Sequence, residues 1–560
     1  MRKRLLASLL CLCLLVGLLP TVALATGEGG TDGAQDPGTT PVTVTPAGDP
    51  EMPVPMGSGT ETEAVKPDTT WYTEAGTDAT SYTISDVADL LGLAVITQNA
   101  AKTAETRTGD PADNFADKTV TLAANLDLKN VPWFVQNDNE TEPSVDHRIV
   151  GFAGTFDGGN RTISNLKFIS DYSTGETGNE EPDRNNLGLF QSVTGAGTVE
   201  NLILDTVTAS LSDYDQFAPL AHQFLGTAKN CHVKNVTVTG TATEKAYIRA
   251  AGMVFLCESG ESGDTVSLTS CTVTGLEVKV DEPFQIGGGL VGRFGGPTAL
   301  TVKDCSAEEI HFEADSLGYV SGLLGYADYT MSENAKITVE DCLVSGVSFK
   351  AEELQVIGGF ANTGSYQNKA TFTFTGCDVK DARFECGTGK MGWVGGFSSS
   401  TNRLTTYQNC TVDGVVFQKD LSDKFCTQVG GFSGNTQNSL SDADKDEGCN
   451  FNNCHVTGLN MQVAGPATDT DGYLSVGGFI GTASQGWADI KNCSVTGTID
   501  SPQFKGVIGG FIGGLGWNTD QIFSVKDCEA NVDVTAGGMP AVSSVAPPIS
   551  RLRSKMTKQL

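Results

Sequence analysis

The sequence contains few basic residues and very little histidine. Its 560 residues include 67 Asp and Glu against 36 Lys and Arg, with five His, so the formal net charge is −31 at pH 7. A surface of this charge repels nucleic acid and anionic lipid, because both are negative. The composition therefore predicts that neither is a partner. Neutral sugars, cations and basic protein patches remain compatible with this charge.

The motifs of common enzyme classes are also missing from the sequence. It has no HExxH zinc helix, no GxSxG elbow and no P-loop. Carboxylates are plentiful, but no pair recurs at a spacing typical of the two acids of a glycosidase. No Ser or Cys nucleophile is recognisably paired with a histidine, so no catalytic residue and no cofactor are predicted. The histidines are His147, His222, His232, His311 and His455.

Two acidic stretches, 442–448 and 469–472, look like fragments of calcium-binding loops. In the first, the Gly falls one place late for a 12-residue loop, and the twelfth position is Asn453 instead of Glu. A solvated acidic loop is the better interpretation of such a stretch, so no metal site is predicted.

Cysteine, by contrast, recurs at a regular interval. Nine cysteines begin similar phrases, such as NCHVKNVTVTG from Asn230 and NCTVDGVVF from Asn409, with steps of 33 to 44 residues. Apolar and polar side chains alternate in these phrases across a short Gly-containing bend, which is typical of β-strands. We name the nine residues the cysteine ladder. They are Cys231, Cys271, Cys305, Cys342, Cys377, Cys410, Cys454, Cys493 and Cys528.

A second phrase, Gly-Gly-Phe or a close variant, alternates with the cysteines, as in VGGFSG from Val429 and IGGFIG from Ile508. Each unit therefore supplies two firm strands and a third, looser strand, of which residues 278–280 are an example. One unit cannot bury its own inner face, so neighbouring units must stack. The sequence predicts an all-β protein, a right-handed parallel β-helix in which each strand pairs with its equivalent in the next turn.

The first repeats resemble a known family. The stretch from Gly154 reads GTFDGGNRTISNLKF and that from Asn186 reads NLGLFQSVTGAGTVENLILDTVTAS. Both are similar to the opening of the GLUG-motif β-helix proteins of bacterial surfaces. As a repeat pattern the resemblance covers roughly residues 120 to 540, and it is most specific between 154 and 210. It implies the architecture and a surface location, often in adhesin-like proteins, and it implies no catalytic residue.

The segment before the repeats has three parts. Residues 1–25 have a basic start, an apolar run and Ala-Leu-Ala, which is typical of a secretory signal peptide. Residues 26–70, rich in Gly, Thr, Pro and acids, predict a disordered linker. Residues 71–118 predict a cap region, with a short amphipathic helix that has Ser85 as its N-cap and covers the first coil.

The β-helix itself is expected to occupy residues 119–540, followed by an irregular basic tail over 541–560. The signal peptide predicts a cell-surface or extracellular location, with no membrane insertion once the signal is removed.

Three interpretations of the cysteine ladder are disulfides, zinc sites and buried thiols. Nine is an odd number, and equivalent residues on neighbouring strands lie about 4.8 Å apart, wider than the Cβ separation of about 3.8 Å in a disulfide. No ladder cysteine has a second Cys within four residues, and His232 and His455 should face the opposite side. A structural stack of reduced thiols is therefore predicted. The off-ladder cysteines Cys257, Cys386, Cys426 and Cys449 stay ambiguous.

Aromatic residues recur after the Gly-Gly-Phe strands, at positions that the sequence predicts to be loops. Equivalent loops of a solenoid lie on one side, so the rings are predicted to form an exposed column that binds sugar rings or grips a protein. In the alternative, each ring folds over its own strand as a local cover. The candidate binding residues are Tyr326, Tyr329, Tyr366, Tyr407, Trp487 and Trp517.

The predicted function is therefore binding or display by an exported, monomeric, adhesin-like β-helix whose partners are glycans or surface proteins. The alternatives are a polysaccharide-degrading β-helix enzyme, as lyase or glycosidase, and a purely structural stalk. A cleft with clustered carboxylates would favour the enzyme, and an exposed aromatic column would favour the binding module. A solenoid face without either feature would favour the stalk.

Overall fold

The computed structural model describes residues 65–103, 106, 111–137, 144–171, 185–241, 247–258, 265–296, 299–328, 331, 335–364, 370–402, 404–421, 426–437, 448–464, 474–483, 487–504, 506–515, 522–536 and 552–553. The chain divides into the units Met1–Thr62 and Glu63–Leu560, and all described residues belong to the second. The first unit, which contains the predicted signal peptide and most of the predicted linker, lies outside the described residues.

Two helices precede the repeats, α1 over Thr70–Ala75 and α2 over Val87–Ala101. The prediction that Ser85 is the N-cap of α2 is wrong, because Asp86 has the extended backbone of a cap and its carboxylate accepts the N–H of Asp89 at 3.0 Å. Ser85 instead donates its backbone N–H to the Asp89 carboxylate at 2.8 Å. The two bonds give the helix start a reciprocal capping arrangement.

Helix α2 is not amphipathic, because it is buried on nearly all sides. Leu90, Leu93 and Ile96 belong to the same core as the first coils. Another side is covered by the segment before the helix, where the Asp68 carbonyl approaches so closely that a Cβ on Gly92 would lie 1.8 Å from it. The helix follows the strand Ser81–Ile84, which pairs with Thr119–Leu122 and with no other described strand. It therefore lies at the N-terminal end of the stack, the predicted place of the cap.

The repeats form a parallel β-helix, so the predicted fold class is confirmed. The first strand of each turn stacks on its equivalents. These strands are Ser81–Ile84, Thr119–Leu122, Thr155–Ser164, Thr198–Leu211, Thr227–Lys229, Thr265–Thr269, Ala299–Lys303, Lys336–Glu340, Thr371–Thr375, Thr405–Gln408, Gly448–Asn452, Trp487–Lys491 and Ile522–Lys526.

Strands that follow the first corner form the second stack, into which Thr155–Ser164 and Thr198–Leu211 also continue. Its other members are Leu126–Asp127, Phe134–Asn137, Lys167–Asp171, His232–Gly240, Thr272–Val280, Ser306–Ser321, Leu343–Ser345, Ser348–Gly358, Asp378–Lys380, Arg383–Cys386, Thr411–Asp413, Val416–Lys419, His455–Val463, Ser494–Ser501 and Glu529–Ala536.

Two further stacks complete each turn. The third contains Asn186–Leu187, Gln216–Phe217, Ile248–Ala251, Phe284–Gly288, Met391–Gly395, Cys426–Gly430, Ser475–Gly477 and Val507–Gly509, with the ends of Ser306–Ser321 and Ser348–Gly358. The fourth contains Phe190–Val193, Ala221–Phe224, Val254–Glu258, Val291–Gly295, Leu324–Ala327, Ser398–Asn402, Ser433–Gln437, Ile480–Ala483 and Ile512–Leu515. The remaining short strands, Val145–Asp146 and Leu552–Arg553, make the antiparallel pairings of the described chain.

Each corner between the first and second strands depends on a residue with positive φ. Asn230, Asn409 and Asn453 have φ of 53° to 54°, a left-handed conformation that Asn, Asp and Gly adopt at the lowest cost. The side-chain amides also bond along the stack, with Asn453 Nδ2 donating to Asn409 Oδ1 at 2.8 Å. The ladder cysteine follows directly, so this corner aims each thiol into the core.

The Gly-Gly-Phe phrase makes the sharp turn between the third and fourth strands. A Cβ on Gly396 would lie 2.0 Å from the Gly431 carbonyl oxygen of the next turn, so only glycine fits. The phenylalanines that follow form a column of stacked rings inside the coil, with centroids 4.5 to 5.0 Å apart. The column consists of Phe360, Phe397, Phe432, Phe479 and Phe511.

Candidate functional site

The nine ladder cysteines occupy one continuous file inside the coil. The residue after each cysteine donates its backbone N–H to the carbonyl of the preceding ladder cysteine, as Thr272 does to Cys231 and Glu529 does to Cys493, both at 3.0 Å. Eight thiols are 2% exposed or less, and Cys528, in the last coil, is partly exposed. All nine are free thiols in this structure. The predicted burial of the file is confirmed, and its redox state after export stays a prediction.

Histidines beside the ladder face away from it, as alternation predicts. His232 bonds to Thr272 Oγ1 at 2.8 Å and to Asn230 Oδ1 at 3.1 Å, and His455 makes the same pair of contacts with Ser494 and Asn453. Within the described ranges, no group of three or more His, Cys, Asp or Glu side chains is placed to hold a metal ion.

Of the six candidate aromatic residues, Tyr407 contradicts the prediction of an exposed loop column. It lies in the strand Thr405–Gln408 and is 0% exposed. Its ring stacks between Phe374 and Phe451 at 5.1 and 5.0 Å, and its hydroxyl contacts Thr401 Oγ1 at 3.1 Å. The ring faces inward because strand alternation places it in the core, so Tyr407 is a structural residue.

The other candidates are placed differently. Tyr326 lies in the strand Leu324–Ala327, not in a loop, and is partly exposed. Trp487 begins the strand Trp487–Lys491, which also corrects its predicted loop position. Tyr329, Tyr366 and Trp517 fall outside the described residues.

Tyr326 belongs to a seam where the outer faces of the third and fourth strands meet. Two rows of equivalent residues line this seam, and partners across it are seven residues apart in sequence. One row is Arg249, Ile286, Tyr319, Val356, Trp393, Gln428 and Ser475. The other is Leu256, Arg293, Tyr326, Thr363, Ser400, Asn435 and Thr482.

Contacts across the seam show that the rows face each other. The Tyr319 and Tyr326 rings pack at 4.7 Å with planes tilted by 53°, and the hydroxyls of Ser475 and Thr482 share a hydrogen bond. Tyr319 and Tyr326 also pack against a small apolar cluster outside the main core, which contains Phe255. Both tyrosines and Trp393 are partly exposed, so the seam presents aromatic surface to solvent.

A charged group adjoins the two tyrosines. Arg293 Nη2 lies 3.1 Å from Glu258 Oε2 and also bonds to Asp328, whose side chain is nearly buried. Burial raises the pKa of Glu258, although the Arg293 guanidinium opposes this shift. Arg293 Nε is buried without a hydrogen-bond partner, and so is Oε1 of Gln428 further along the seam. The seam therefore combines aromatic rings with an unpaired donor and an unpaired acceptor.

A second concave surface, which we name the groove, crosses five turns at the end of the second stack. Its volume is about 450 Å³, and Val280, Ala314, Ala351 and Cys386 are among its lining residues. Lys350 lies 2.7 Å from Glu313 Oε1 and lowers the pKa of Glu313. A glycosidase acid needs the opposite shift. The groove carboxylates are Asp281, Glu313, Asp315, Glu352, Glu385 and Asp420.

Two ionisable side chains are buried in the early turns near the seam. Burial raises the pKa of Asp215 to about 6, while the Ser212 N–H, which the carboxylate accepts at 2.8 Å, opposes the shift. Burial lowers the pKa of His222 to about 3, and its Nε2 lies 3.1 Å from Gln216 Oε1. Sequence reasoning did not single out either residue for this role.

The seam residues Tyr319 and Trp393 were also missed, because the aromatic search covered only residues after the Gly-Gly-Phe phrase. Both rings lie two residues before the first residue of the sharp turn, in GYVSG and GWVGG. That fixed offset is one signal that could have revealed the seam. The other is the separation of seven residues from Tyr319 to Tyr326 and from Trp393 to Ser400.

The chain carries a match to the family model described as The GLUG motif, over residues 472–500. The predicted resemblance is thus confirmed as a motif, although the match lies later than the stretch 154–210. No curated protein matches the chain. Among the helices of the described residues, none is long and apolar enough to cross a membrane.

Proposed function

We propose that this chain is an exported β-helix module that binds glycans along the seam. The observation that carries the proposal is the pair of partly exposed rings, Tyr319 and Tyr326, which face each other beside Arg293. Sugars have apolar ring faces that stack on aromatic side chains, and hydroxyls that both donate and accept hydrogen bonds. The seam offers both kinds of partner.

The arrangement suits an extended ligand better than a single sugar. Tyr319 and Trp393 belong to the same row, two turns apart, so they are separated by about 9.6 Å along the coil. A chain of sugars that runs parallel to the coil axis can contact both rings.

Export is part of the proposal, and it rests on residues 1–25. Their basic start, apolar run and Ala-Leu-Ala are the pattern that signal peptidase removes, which leaves a mature chain that begins at Thr26. N-terminal sequencing of the protein from culture medium or cell surface tests this step. Recovery of a chain that still begins at Met1 would overturn it.

A glycan-array screen of the chain, followed by titration of the best ligand, tests the binding function. Tyr319→Ala combined with Tyr326→Ala should weaken binding at least tenfold, because each stacked ring contributes roughly 0.5 to 1.5 kcal/mol. Tyr247→Ala is the matched control, since Tyr247 is 37% exposed and is not a seam residue. An array without any bound glycan, or equal affinity of the double variant and the control, would contradict the proposal.

The groove favours a second function, cleavage of polysaccharides, because its carboxylates are clustered in a concave surface. Release of new reducing ends from a panel of polysaccharides tests it. Activity that is lost in Glu385→Gln and kept in the double tyrosine variant would establish an enzyme. Binding without any release of reducing ends would establish the module.

A further inference from the structure

We propose that the cysteine ladder binds soft, monovalent metal ions that coordinate two thiolates in a line, as Ag(I) and Cu(I) do. The site is the gap between neighbouring thiols of the file. It is independent of the glycan-binding seam.

The first argument is register. Backbone hydrogen bonds of 2.9 to 3.1 Å join each ladder position to the next from Cys231 to Cys528, without an interruption. Every thiol except the two end members therefore has one ladder thiol above it and one below it, at about the strand separation of 4.8 Å.

The second argument is coordination number. A metal–thiolate bond is about 2.3 Å long, so a linear sulfur–metal–sulfur unit spans about 4.6 Å, close to the strand separation. Tetrahedral zinc needs four ligands, and no group of even three metal-binding side chains is found among the described residues. Thiolates select soft ions, so two thiols in a line favour monovalent copper or silver.

The third argument is charge. A filled file has nine thiolates and eight ions, so nine thiol protons pass to solvent and eight positive charges neutralise all but one of the thiolates. Cys342 Sγ donates its proton to the Glu340 carbonyl at 3.1 Å, and that carbonyl also accepts the N–H of Asp304 at 3.0 Å. The carbonyl therefore keeps a partner when the thiol proton leaves.

Ions can enter at the last coil. Cys528 is partly exposed there, and so are the core-side residues Ala530, Val532 and Val534, which have no further described coil below them. From this end an ion can pass from one gap to the next along the file.

Titration of the purified full chain with Ag(I), under reducing-agent-free and oxygen-free conditions, tests the proposal. Nine thiols leave eight gaps, so up to eight ions should bind the ladder, with nine protons released when all gaps are filled and a rise in ultraviolet sulfur–metal absorption. The melting temperature should rise as well, because the ions bind the folded file.

Substitutions at three kinds of position distinguish ions that bind between two thiols from ions that bind to single thiols. Cys377→Ser removes two gaps and should lower the stoichiometry by two. Cys528→Ser removes one gap and should lower it by one. Cys257→Ser should not change the ladder stoichiometry, because Cys257 is a buried thiol whose register partner in the next turn is Phe294.

A loss of one ion in all three variants would show that thiols bind ions singly, and it would overturn the proposal. A native chain that binds no Ag(I) until it is denatured would also overturn it. If Cys377→Ser fails to fold, Cys528→Ser against Cys257→Ser still separates a gap from an isolated thiol.

Discussion

The early turns, 119–241, and the later turns, 265–536, use the same corners but fill them differently. At the ladder position, Leu202 precedes Cys231 in the early turns, and every later turn has a cysteine. At the sharp turn, the place that phenylalanine fills from Phe360 onwards is occupied in the preceding turns by Leu189, Leu220, Met253, Leu290 and Leu323. The early turns also bury Asp215 and His222. The later turns thus repeat one contact at the cysteine ladder and, from Phe360 onwards, a second one at the sharp turn, whereas the early turns depend on contacts of individual residues.

This difference predicts how substitutions act. In the later turns, a substitution disturbs the same contact above and below it, so its effect should depend on whether a next turn exists. In the early turns, the effect of a substitution should depend only on the substituted residue and the side chains that it contacts. Each of the following experiments compares a position with its equivalent elsewhere in the coil.

The largest expected effect is at the phenylalanine column. Phe397→Ala should lower the free energy of unfolding by about 4 kcal/mol, because the ring is fully buried and stacks at 4.5 and 4.9 Å on both neighbours. Phe511→Ala should cost clearly less, since Phe511 is partly exposed at the end of the column. Equal losses in urea unfolding would show that the column is not the repeated contact.

Glycine at the sharp turn gives a second comparison. Gly396→Ala should cost about 3 kcal/mol, because the new Cβ would lie 2.0 Å from the Gly431 carbonyl oxygen and the turn must shift. Gly510 occupies the same place in the last sharp turn, where the nearest atom to a Cβ is 3.8 Å away. Gly510→Ala should therefore be almost neutral in thermal unfolding. A large loss in the Gly510 variant would refute the role of the next turn.

The early turns should instead show a dependence on pH. The pKa of Asp215 is raised to about 6 in the folded state, so the stability that it contributes is present below about pH 4 and is lost as the pH rises through 6. Relative to the wild type, Asp215→Asn should gain up to about 3 kcal/mol between pH 4 and 7. Urea unfolding at several pH values measures this difference.

His222 should act in the opposite direction. Its pKa is lowered to about 3, so the folded state loses stability as the pH falls below the unfolded value of about 6.5. Relative to the wild type, His222→Gln should therefore gain stability as the pH falls from 7 to 4. Parallel curves for the wild type and both variants would mean that neither group titrates differently in the folded state.

The contrast between repeated and individual contacts also explains which parts of the structure the sequence predicts. The ladder and the Gly-Gly-Phe phrase repeat, so they predict the parallel stack and the buried thiols. Tyr407 was misplaced because its exposure depends on strand alternation within a turn whose boundaries the repeat did not fix. The seam depends on two strands that fold onto each other, and the pairing of Tyr319 with Tyr326 appears in no single phrase. Repeated phrases in the sequence therefore predict the β-helix, whereas a surface formed where two strands of one turn meet is visible only in the folded structure.

The smallest expected effect is at the first corner. Asn409 has φ of 54°, and its side-chain oxygen accepts the amide of Asn453 at 2.8 Å. Asn409→Val should lower the free energy of unfolding by about 1 to 2 kcal/mol, because a β-branched residue is strained in the left-handed region and the side-chain bond is lost. Asn409→Gly removes the same bond but permits the same φ. Glycine already occupies this corner one turn earlier, where Gly376 has φ of 63°. The glycine variant should therefore stay within about 0.5 kcal/mol of the wild type in urea unfolding. If both variants lose the same amount, the side-chain hydrogen bond between Asn453 and Asn409, and not the backbone conformation, stabilises this corner.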